Sequence, residues 1–204
     1  AKISYNGNDD YKASSAKANI VVTKADAVIT APDVTVAYKN TTGELVATIT
    51  NAYGKPLKVD LNVEFNGENY TIKTDSNGQI SIPIGVLTPG TYAATISYAG
   101  NVNYNAVSTV ANVVVTKADA VIIAPDVSVA YKDSTGELVA TVTNAYGKPL
   151  RVNVNVNFNG ETYTVKTDSN GQISIPTASL APGNYTATIS YNGNVNYNPT
   201  STTA

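Results

Sequence analysis

Residues 59–73 read VDLNVEFNGENYTIK, and this stretch decides the fold class. Between Val59 and Phe65, four apolar residues alternate with three polar ones. Successive side chains of a β-strand point to opposite faces, so this alternation places the apolar set in a core and the polar set in water. Asn66-Gly67 follows directly, and this pair is the strongest short signal for a tight hairpin. The stretch therefore predicts two antiparallel strands that share one buried face.

The same pattern returns at residues 152–166 as VNVNVNFNGETYTVK. It belongs to a long repeat, because residues 23–111 and 116–204 are identical at 68 of 89 aligned positions with an offset of 93. Two of the differences, Asp60/Asn153 and Glu64/Asn157, fall on the predicted solvent face of the strand. We infer that one unit of domain size has been copied in tandem.

Each unit is predicted to be built from short strands alone. In the first unit we expect strands near residues 26–31, 33–38, 44–51, 57–66, 69–74, 79–84, 91–98 and 107–116. The first two are interpreted as one strand that is broken at Pro32, because proline cannot donate to a β-ladder. About seven short strands in 93 residues predict an all-β chain of tandem immunoglobulin-like β-sandwich domains.

A local motif supports the sandwich. Residues 87–92 (LTPGTY) and 180–185 (LAPGNY) each place a turn and a tyrosine at the start of the penultimate strand. This arrangement suits a tyrosine corner, in which the hydroxyl bonds to backbone a few residues upstream. We therefore expect Tyr92 and Tyr185 to close corners of the two sandwiches.

Composition excludes several classes of function. Only 14% of the residues are charged and the formal net charge is −2, which argues against a nucleic-acid surface. No apolar run approaches the roughly 20 residues that would span a bilayer. The chain has neither cysteine nor histidine, so thiol nucleophiles, disulfides and the commonest general base are missing. We expect no catalysis and no cofactor.

The order of the motifs resembles a known family. The residues that carry the resemblance are 54–57 (GKPL), 63–67 (VEFNG), 74–82 (TDSNGQISI), 87–109 (LTPGTYAATISYAGNVNYNAVST) and 112–117 (NVVVTK). They are similar to the bacterial Ig-like repeats of microbial surface proteins, and most of all to the long arrays of methanogen (archaeal) adhesin-like proteins. The resemblance covers the whole chain. It implies an extracellular stalk or adhesion segment at a cell surface, with neighbouring copies of the repeat and a surface ligand as partners, and it brings no catalytic residues.

The repeat alignment also sets the expected domain boundaries. Residues 1–23 match the last two strands of a preceding repeat, 24–116 form one repeat, and 117–204 form a repeat that lacks its final strand. Either 1–204 is a window on a longer array, or the chain is a fibre subunit. In the second case a donor strand would fill the slot in the next molecule, head to tail. The donor strand would consist of Asn19, Ile20, Val21, Val22 and Thr23.

Two loops that combine tyrosine with asparagine are candidate ligand sites. Residues 98–105 read YAGNVNYN and residues 191–198 read YNGNVNYN. Tyrosine faces stack on sugars and asparagine bonds to hydroxyl groups, so these loops suggest a carbohydrate-binding module. The residues concerned are Tyr98, Asn101, Tyr104, Tyr191, Asn194 and Tyr197. The alternative is a hairpin loop in which Asn and Gly supply the turn and Tyr packs on the end of the sandwich.

The sequence also contains three further kinds of candidate site. Asn40, Asn69 and Asn184 head N-x-Ser/Thr sequons, so they are candidates for N-glycosylation in an exported protein. Asp26, Asp33, Asp119 and Asp126 lie near the unit junctions, where calcium would stiffen tandem sandwiches, although we expect no metal. Internal Lys–Asn or Thr–Gln cross-links are a further possibility, but no sequence pattern marks a cross-linking triad. The residues that could take part are Lys39, Lys132, Asn19, Asn112, Gln79 and Gln172. Asp75 and Asp168 lack the spacing of a calcium loop and predict turns.

Overall fold

The computed structural model describes all 204 residues. The chain forms 17 β-strands, joined by turns and loops, and no helix. The all-β prediction is therefore confirmed, and no helix is present that is long and apolar enough to cross a membrane. The chain begins with a hairpin of β1 (Lys2–Tyr5) and β2 (Ser14–Lys17), whose residues are all exposed. Two sandwiches follow, which we call unit 1 (residues 24–116) and unit 2 (residues 117–204).

Unit 1 contains eight strands in two sheets. They are β3 (Ala27–Thr30), β4 (Val34–Ala37), β5 (Glu44–Asn51), β6 (Asp60–Phe65), β7 (Glu68–Lys73), β8 (Gln79–Pro83), β9 (Gly90–Tyr98) and β10 (Val107–Thr116). The small sheet has the order β3-β5-β8 and the large sheet the order β4-β10-β9-β6-β7. Along β6 the burial alternates as the sequence predicts, and one buried cluster joins Leu45 and Ile49 of the small sheet to Leu61 and Ile96 of the large one.

The predicted break at Pro32 is confirmed, and at this break the chain passes from one sheet to the other. Before the proline, β3 pairs with β5 in the small sheet, and after it, β4 pairs in parallel with β10 in the large sheet. The chain crosses between the sheets where proline cannot join a ladder. One stretch of sequence thus provides an edge strand to each layer of the sandwich.

The predicted turns are also confirmed. Asn66 and Gly67 have φ values of 52° and 79°, the left-handed conformation that a two-residue hairpin requires. The hydroxyl of Tyr92 donates to the carbonyl of Thr88 at 2.8 Å, and that of Tyr185 donates to the carbonyl of Ala181 at 3.0 Å. Both units therefore contain the tyrosine corner.

Unit 2 contains seven strands. They are β11 (Ala120–Ile123), β12 (Glu137–Asn144), β13 (Asn153–Phe158), β14 (Glu161–Lys166), β15 (Gln172–Pro176), β16 (Ala187–Tyr191) and β17 (Thr200–Thr203). The sheets have the orders β11-β12-β15 and β14-β13-β16-β17. Residues 126–131, which correspond to the predicted strand 33–38 at the 93-residue offset, form no strand, because residues 113–116 of β10, which pair with β4 in unit 1, have no counterpart among residues 117–204.

The missing partner also shortens a second strand. β9 begins at Gly90, whereas β16 begins at Ala187, which corresponds to Ala94. In unit 1, residues 90–93 pair with residues 112–115 of β10. Residues 183–186 have no such partner and form no strand. Likewise, residues 19–23 form no strand and are exposed throughout.

Candidate functional site

An open groove runs along the edge of unit 2, between residues 126–129 and 183–186. It has a volume of about 490 Å³, and Val127, Val129, Leu138 and Phe158 contribute apolar surface to it. Strands would normally border such a channel on both sides, but neither wall is a strand here. The groove therefore combines apolar lining with unpaired backbone, which are the two features of an incomplete sheet.

Unit 1 shows what occupies the same place. There β10 lies between β4 and β9, and the side chains of Val113 and Val115 are fully buried. Val36 of β4 is only 8% exposed beside them, whereas its counterpart Val129 is 39% exposed. The groove is thus the position that Val113 and Val115 fill in the complete unit.

Polar contacts hold β10 in place as well. The carboxylate of Asp33 accepts hydrogen bonds from the backbone N–H of Asn112 at 2.7 Å and from its side-chain amide at 3.2 Å. These bonds, the backbone one first, lower the pKa of Asp33 below its ordinary value. At the other end of the strand, Tyr38 N–H donates to the carbonyl of Thr116 at 2.9 Å. In unit 2, Asp126 lines the open groove instead.

The segment 19–23 has the sequence that matches this groove. It reads NIVVT, against NVVVT for residues 112–116 of β10. Its three apolar side chains lie in water, and Val22 is the most exposed of them at 89%. The chain therefore carries both an open slot and a free copy of the strand that fills that slot in unit 1.

The structure divides the tyrosines of the two Tyr/Asn loops into two groups. Tyr98 and Tyr191 lie in the cores, and their hydroxyls have no hydrogen-bond partner within the protein. Burial raises the pKa of both phenols. A ring packed in a core has no face open to a sugar, so only Tyr104 and Tyr197 remain partly accessible.

The asparagines of these loops close turns. Asn101 Oδ1 accepts from the backbone N–H groups of Asn103 at 2.8 Å and Tyr104 at 2.9 Å, and Asn194 does the same for Asn196 and Tyr197. The closed loop then bonds to the start of its own unit, through Ala25 in unit 1 and Ala118 in unit 2. These contacts give both asparagines a structural role, and sugar binding at the loops stays a prediction.

The loop of unit 2 also touches unit 1. The rings of Tyr38 and Tyr197 meet edge to face, with centroids 5.6 Å apart and planes at 73°. Lys39 Nζ lies 5.2 Å from the centroid of the Tyr38 ring, within the range of a cation–π contact. We call the contact between Tyr38 of unit 1 and Tyr197 of unit 2 the joint. No sequence pattern singled out Tyr38, and Lys39 was considered only for a cross-link, although a Tyr-Lys pair recurs at Tyr131-Lys132.

The predicted sequons lie at different kinds of position. Asn69 is exposed on β7, and Asn184 is exposed beside the open groove. Asn40 is half-buried, and its Oδ1 accepts hydrogen bonds from the backbone and side chain of Thr42. Attachment of a glycan at any of the three stays a prediction.

Three of the four aspartates considered for calcium accept hydrogen bonds from asparagine side-chain amides, and the fourth, Asp126, lines the open groove. Asp26 accepts from Asn105 Nδ2 at 2.8 Å and Asp119 accepts from Asn198 Nδ2 at 2.7 Å. Nowhere do three carboxylates come together into a group that would hold a metal ion. Asp75 accepts from the backbone of Asn77 and Gln79, which is the turn that the sequence predicts.

The residues considered for cross-links do not form a triad of lysine, asparagine and acid. Asn112 meets the carboxylate of Asp33, while the Nζ of Lys39 lies over a tyrosine ring. Gln79 Nε2 lies 3.3 Å from Thr48 Oγ1 on the neighbouring strand, as an ordinary cross-strand hydrogen bond. The cross-link hypothesis gains no support from these contacts.

No protein-family model matches the chain, and no curated protein matches it. Solved structures do. One is a 1.5-MDa bacterial ice-binding adhesin, solved for insight into its host cell surface retention. It is 14% identical to this chain with a TM-score of 0.37, and the match covers 89% of this chain and 64% of that one. Another is a Ca²⁺-stabilised adhesin with which an Antarctic bacterium reaches out and binds ice, at 19% identity and TM-score 0.32 over 97% of this chain and 53% of that one.

The D0-D1 domain of intimin is a third, at 20% identity and TM-score 0.33 over 80% of this chain and 88% of that one. The chain spans less than two thirds of the length of the two ice-binding adhesin structures. Bacterial adhesins are thus among the structures that this chain is similar to. At these identities and TM-scores the likeness carries no argument about function, and the fold assignment rests on the strand pairing described above.

Proposed function

We propose that this chain is a segment of a cell-surface stalk or adhesin, that it is extracellular, and that it acts without catalysis. The observation that carries the proposal is the joint. Tyr38 follows β4, at the end of unit 1 opposite the Tyr98–Tyr104 loop, whereas Tyr197 lies in the loop of unit 2 that corresponds to Tyr98–Tyr104. The contact is therefore end to end. The connector residue Ala118 is buried, so the joint is packed.

An end-to-end joint suits a stalk because each added repeat extends the reach of the array. The resemblance of the repeat to those of microbial surface proteins supports the same role. Two measurements test the proposal. Small-angle scattering of the chain should give a maximum dimension close to that of two sandwiches in line. Antibodies against residues 24–204 should label intact source cells. Side-by-side units, or labelling only after permeabilisation, would contradict it.

A second candidate function is supported by the open groove. We infer that residues 19–23 of one molecule enter the groove of unit 2 in another, which makes the chain a subunit of a head-to-tail fibre. Placed as Val113 and Val115 are in unit 1, Ile20 and Val22 would bury their side chains, and Asn19 would face Asp126. The inserted strand would pair with residues 127–130 on one side and 183–186 on the other.

The free-energy terms that favour and oppose strand donation alone are of similar size. Burial of two aliphatic side chains and new backbone hydrogen bonds favour insertion. Ordering five residues that are free in water opposes it, by an amount of similar size. We therefore expect weak association unless a further contact between the two molecules contributes.

The chain offers a matched pair of variants for the test. Val22→Asp places a charge where Val115 is buried, whereas Val21→Asp places it at the position of Val114, which is half-buried. Both residues are exposed in the free chain, so neither change disturbs the folded monomer. Sedimentation velocity at increasing concentration should show association of the parent and of Val21→Asp, and its loss in Val22→Asp. Association that survives Val22→Asp would exclude strand donation.

A further inference from the structure

A second groove of unit 2 lies on the solvent side of its large sheet, beside the start of β13 and the end of β16. It has a volume of about 450 Å³. At this place β13 pairs with both β14 and β16, and β16 also pairs with β17. The groove is therefore built by paired strands, and the unpaired residues 126–131 and 183–186 take no part in it.

Side chains that form hydrogen bonds line this surface, which we call the amide groove. They are two cations and four asparagines, namely Arg151, Lys166, Asn153, Asn155, Asn192 and Asn194. No acidic residue lines the groove, although the whole chain has 15 acidic and 13 basic residues. The amide groove therefore presents positive charge beside amide groups.

Two of the four amides are held in a fixed orientation. Asn155 Oδ1 accepts a hydrogen bond from Thr164 Oγ1 on β14 at 2.9 Å. Asn194 Oδ1 accepts from the backbone N–H groups of Asn196 at 2.8 Å and Tyr197 at 2.9 Å. Because the oxygen of each amide is engaged in this way, its NH₂ group remains as a donor for a ligand. Groups that are already oriented lose little freedom when a ligand binds.

The repeat supplies a natural comparison, because three of these six residues differ in unit 1. Unit 1 has Lys58, Asp60 and Ala99 where unit 2 has an arginine and two asparagines, and the other three residues are the same. The exchanges in unit 2 remove a carboxylate, add an amide and replace an ammonium group by a guanidinium. A guanidinium binds a carboxylate through two parallel hydrogen bonds. All three exchanges therefore favour an anionic, hydroxyl-rich ligand in unit 2.

We propose that the amide groove binds an acidic saccharide, with a uronic acid carboxylate on Arg151 and Lys166 and the sugar hydroxyls on the asparagines. Amides suit hydroxyl groups because both partners donate and accept hydrogen bonds. A phosphate or sulfate ion would use the two cations and leave the amides without a role. The site differs from sugar binding on the loop tyrosines, because Tyr191 is buried and no ring stacks on the sugar. It adds a ligand to the segment proposed above and does not depend on the stalk role.

The test is a titration of the chain with digalacturonic acid, followed by the NMR shifts of backbone amides. The acid should shift residues 151–155 and 192–194 and leave the matching residues 58–62 and 99–101 of unit 1 in place. Galactobiose, the neutral disaccharide, and inorganic phosphate are the controls. No shift in the groove up to the solubility limit of the acid would overturn the proposal. Equally tight binding of either control at the same residues would also overturn it.

Variants that exchange residues between the units provide the second part of the test. Arg151→Lys should weaken binding about three- to tenfold, as for the loss of one hydrogen bond. Asn153→Asp should weaken it further, because a like charge then faces the carboxylate of the ligand. Unit 1 folds with lysine and aspartate at these places, so both variants should unfold like the parent. Variants that bind like the parent would overturn the proposal.

The reverse exchange should create a second site. Lys58→Arg, Asp60→Asn and Ala99→Asn together give unit 1 the six residues of the amide groove, so digalacturonic acid should then also shift residues 58–62. A triple variant without these new shifts would count against the six residues as the basis of binding. The labelling of intact cells decides the stalk proposal independently.

Discussion

Asn112 meets Asp33 across 79 residues of sequence, and this pair fixes the last strand of unit 1 against the strand that follows Pro32. The carboxylate accepts one bond from the backbone N–H at 2.7 Å and one from the side-chain amide at 3.2 Å. Both bonds favour the ionised carboxylate, so the pKa of Asp33 lies below its ordinary value of 3.8. The interaction is therefore linked to pH.

Because the pKa is lowered in the folded state, the stabilisation from this pair is complete above the ordinary value and is lost as pH falls through the folded-state pKa. We expect the carboxyl ¹³C resonance of Asp33 to titrate with a midpoint below 3.8. In Asn112→Ala the backbone bond remains, so the midpoint should rise only part of the way. A parent midpoint at or above 3.8 would contradict the assignment of these bonds.

The two phenylalanines form a matched pair for stability. Phe65 is 4% exposed, whereas Phe158 is half-buried because residues 127–129 leave its side of the core open. Phe65→Ala should cost about 3–5 kcal/mol of unfolding free energy, as for buried aromatic residues generally. Phe158→Ala should cost clearly less. Denaturant unfolding of the two variants measures the difference, and equal losses would mean that the groove is not open in solution.

Two glycines separate backbone conformation from close packing. Gly67 and Gly78 both have positive φ, at 79° and 73°. A Cβ at residue 67 meets no neighbour, so Gly67→Ala should cost only the conformational penalty of about 1–2 kcal/mol. A Cβ at residue 78 would collide with the carbonyl oxygen of Ile49, so Gly78→Ala should be more destabilising. Similar melting temperatures for the two variants would be inconsistent with this close approach.

The tyrosine corners differ in their surroundings. Tyr92 is half-buried and bonds both the carbonyl and the hydroxyl of Thr88, whereas Tyr185 is more exposed and bonds only the carbonyl of Ala181. Tyr92→Phe should therefore cost about 0.5–1.5 kcal/mol, the usual net value of a hydrogen bond. Tyr185→Phe should cost less, because water replaces the lost partner. Thermal unfolding of both variants tests the order, and the reverse order would count against it.

Much of the fold follows from the local sequence. The alternation in residues 59–65, the Asn-Gly pair and the proline at 32 predict a strand, a hairpin and a break between two strands, and all three are present. The crossing from one sheet to the other at that break was not predicted. The three predicted features depend on one residue and its near neighbours. The joint was not predicted, because Tyr38 and Tyr197 are 159 positions apart and no local pattern brings their rings together.

Two nearly identical tetrapeptides show most clearly which part of the fold the local sequence does not determine. Residues 34–37 read VTVA and form β4, whereas residues 127–130 read VSVA and form no strand. The sequence by itself determined that both segments favour an extended strand with apolar residues at alternate positions. Only the tertiary structure decided whether that strand forms, because a β-strand needs hydrogen-bond partners from another segment. Residues 113–116 supply them in unit 1, and in unit 2 no segment of the chain lies at that place.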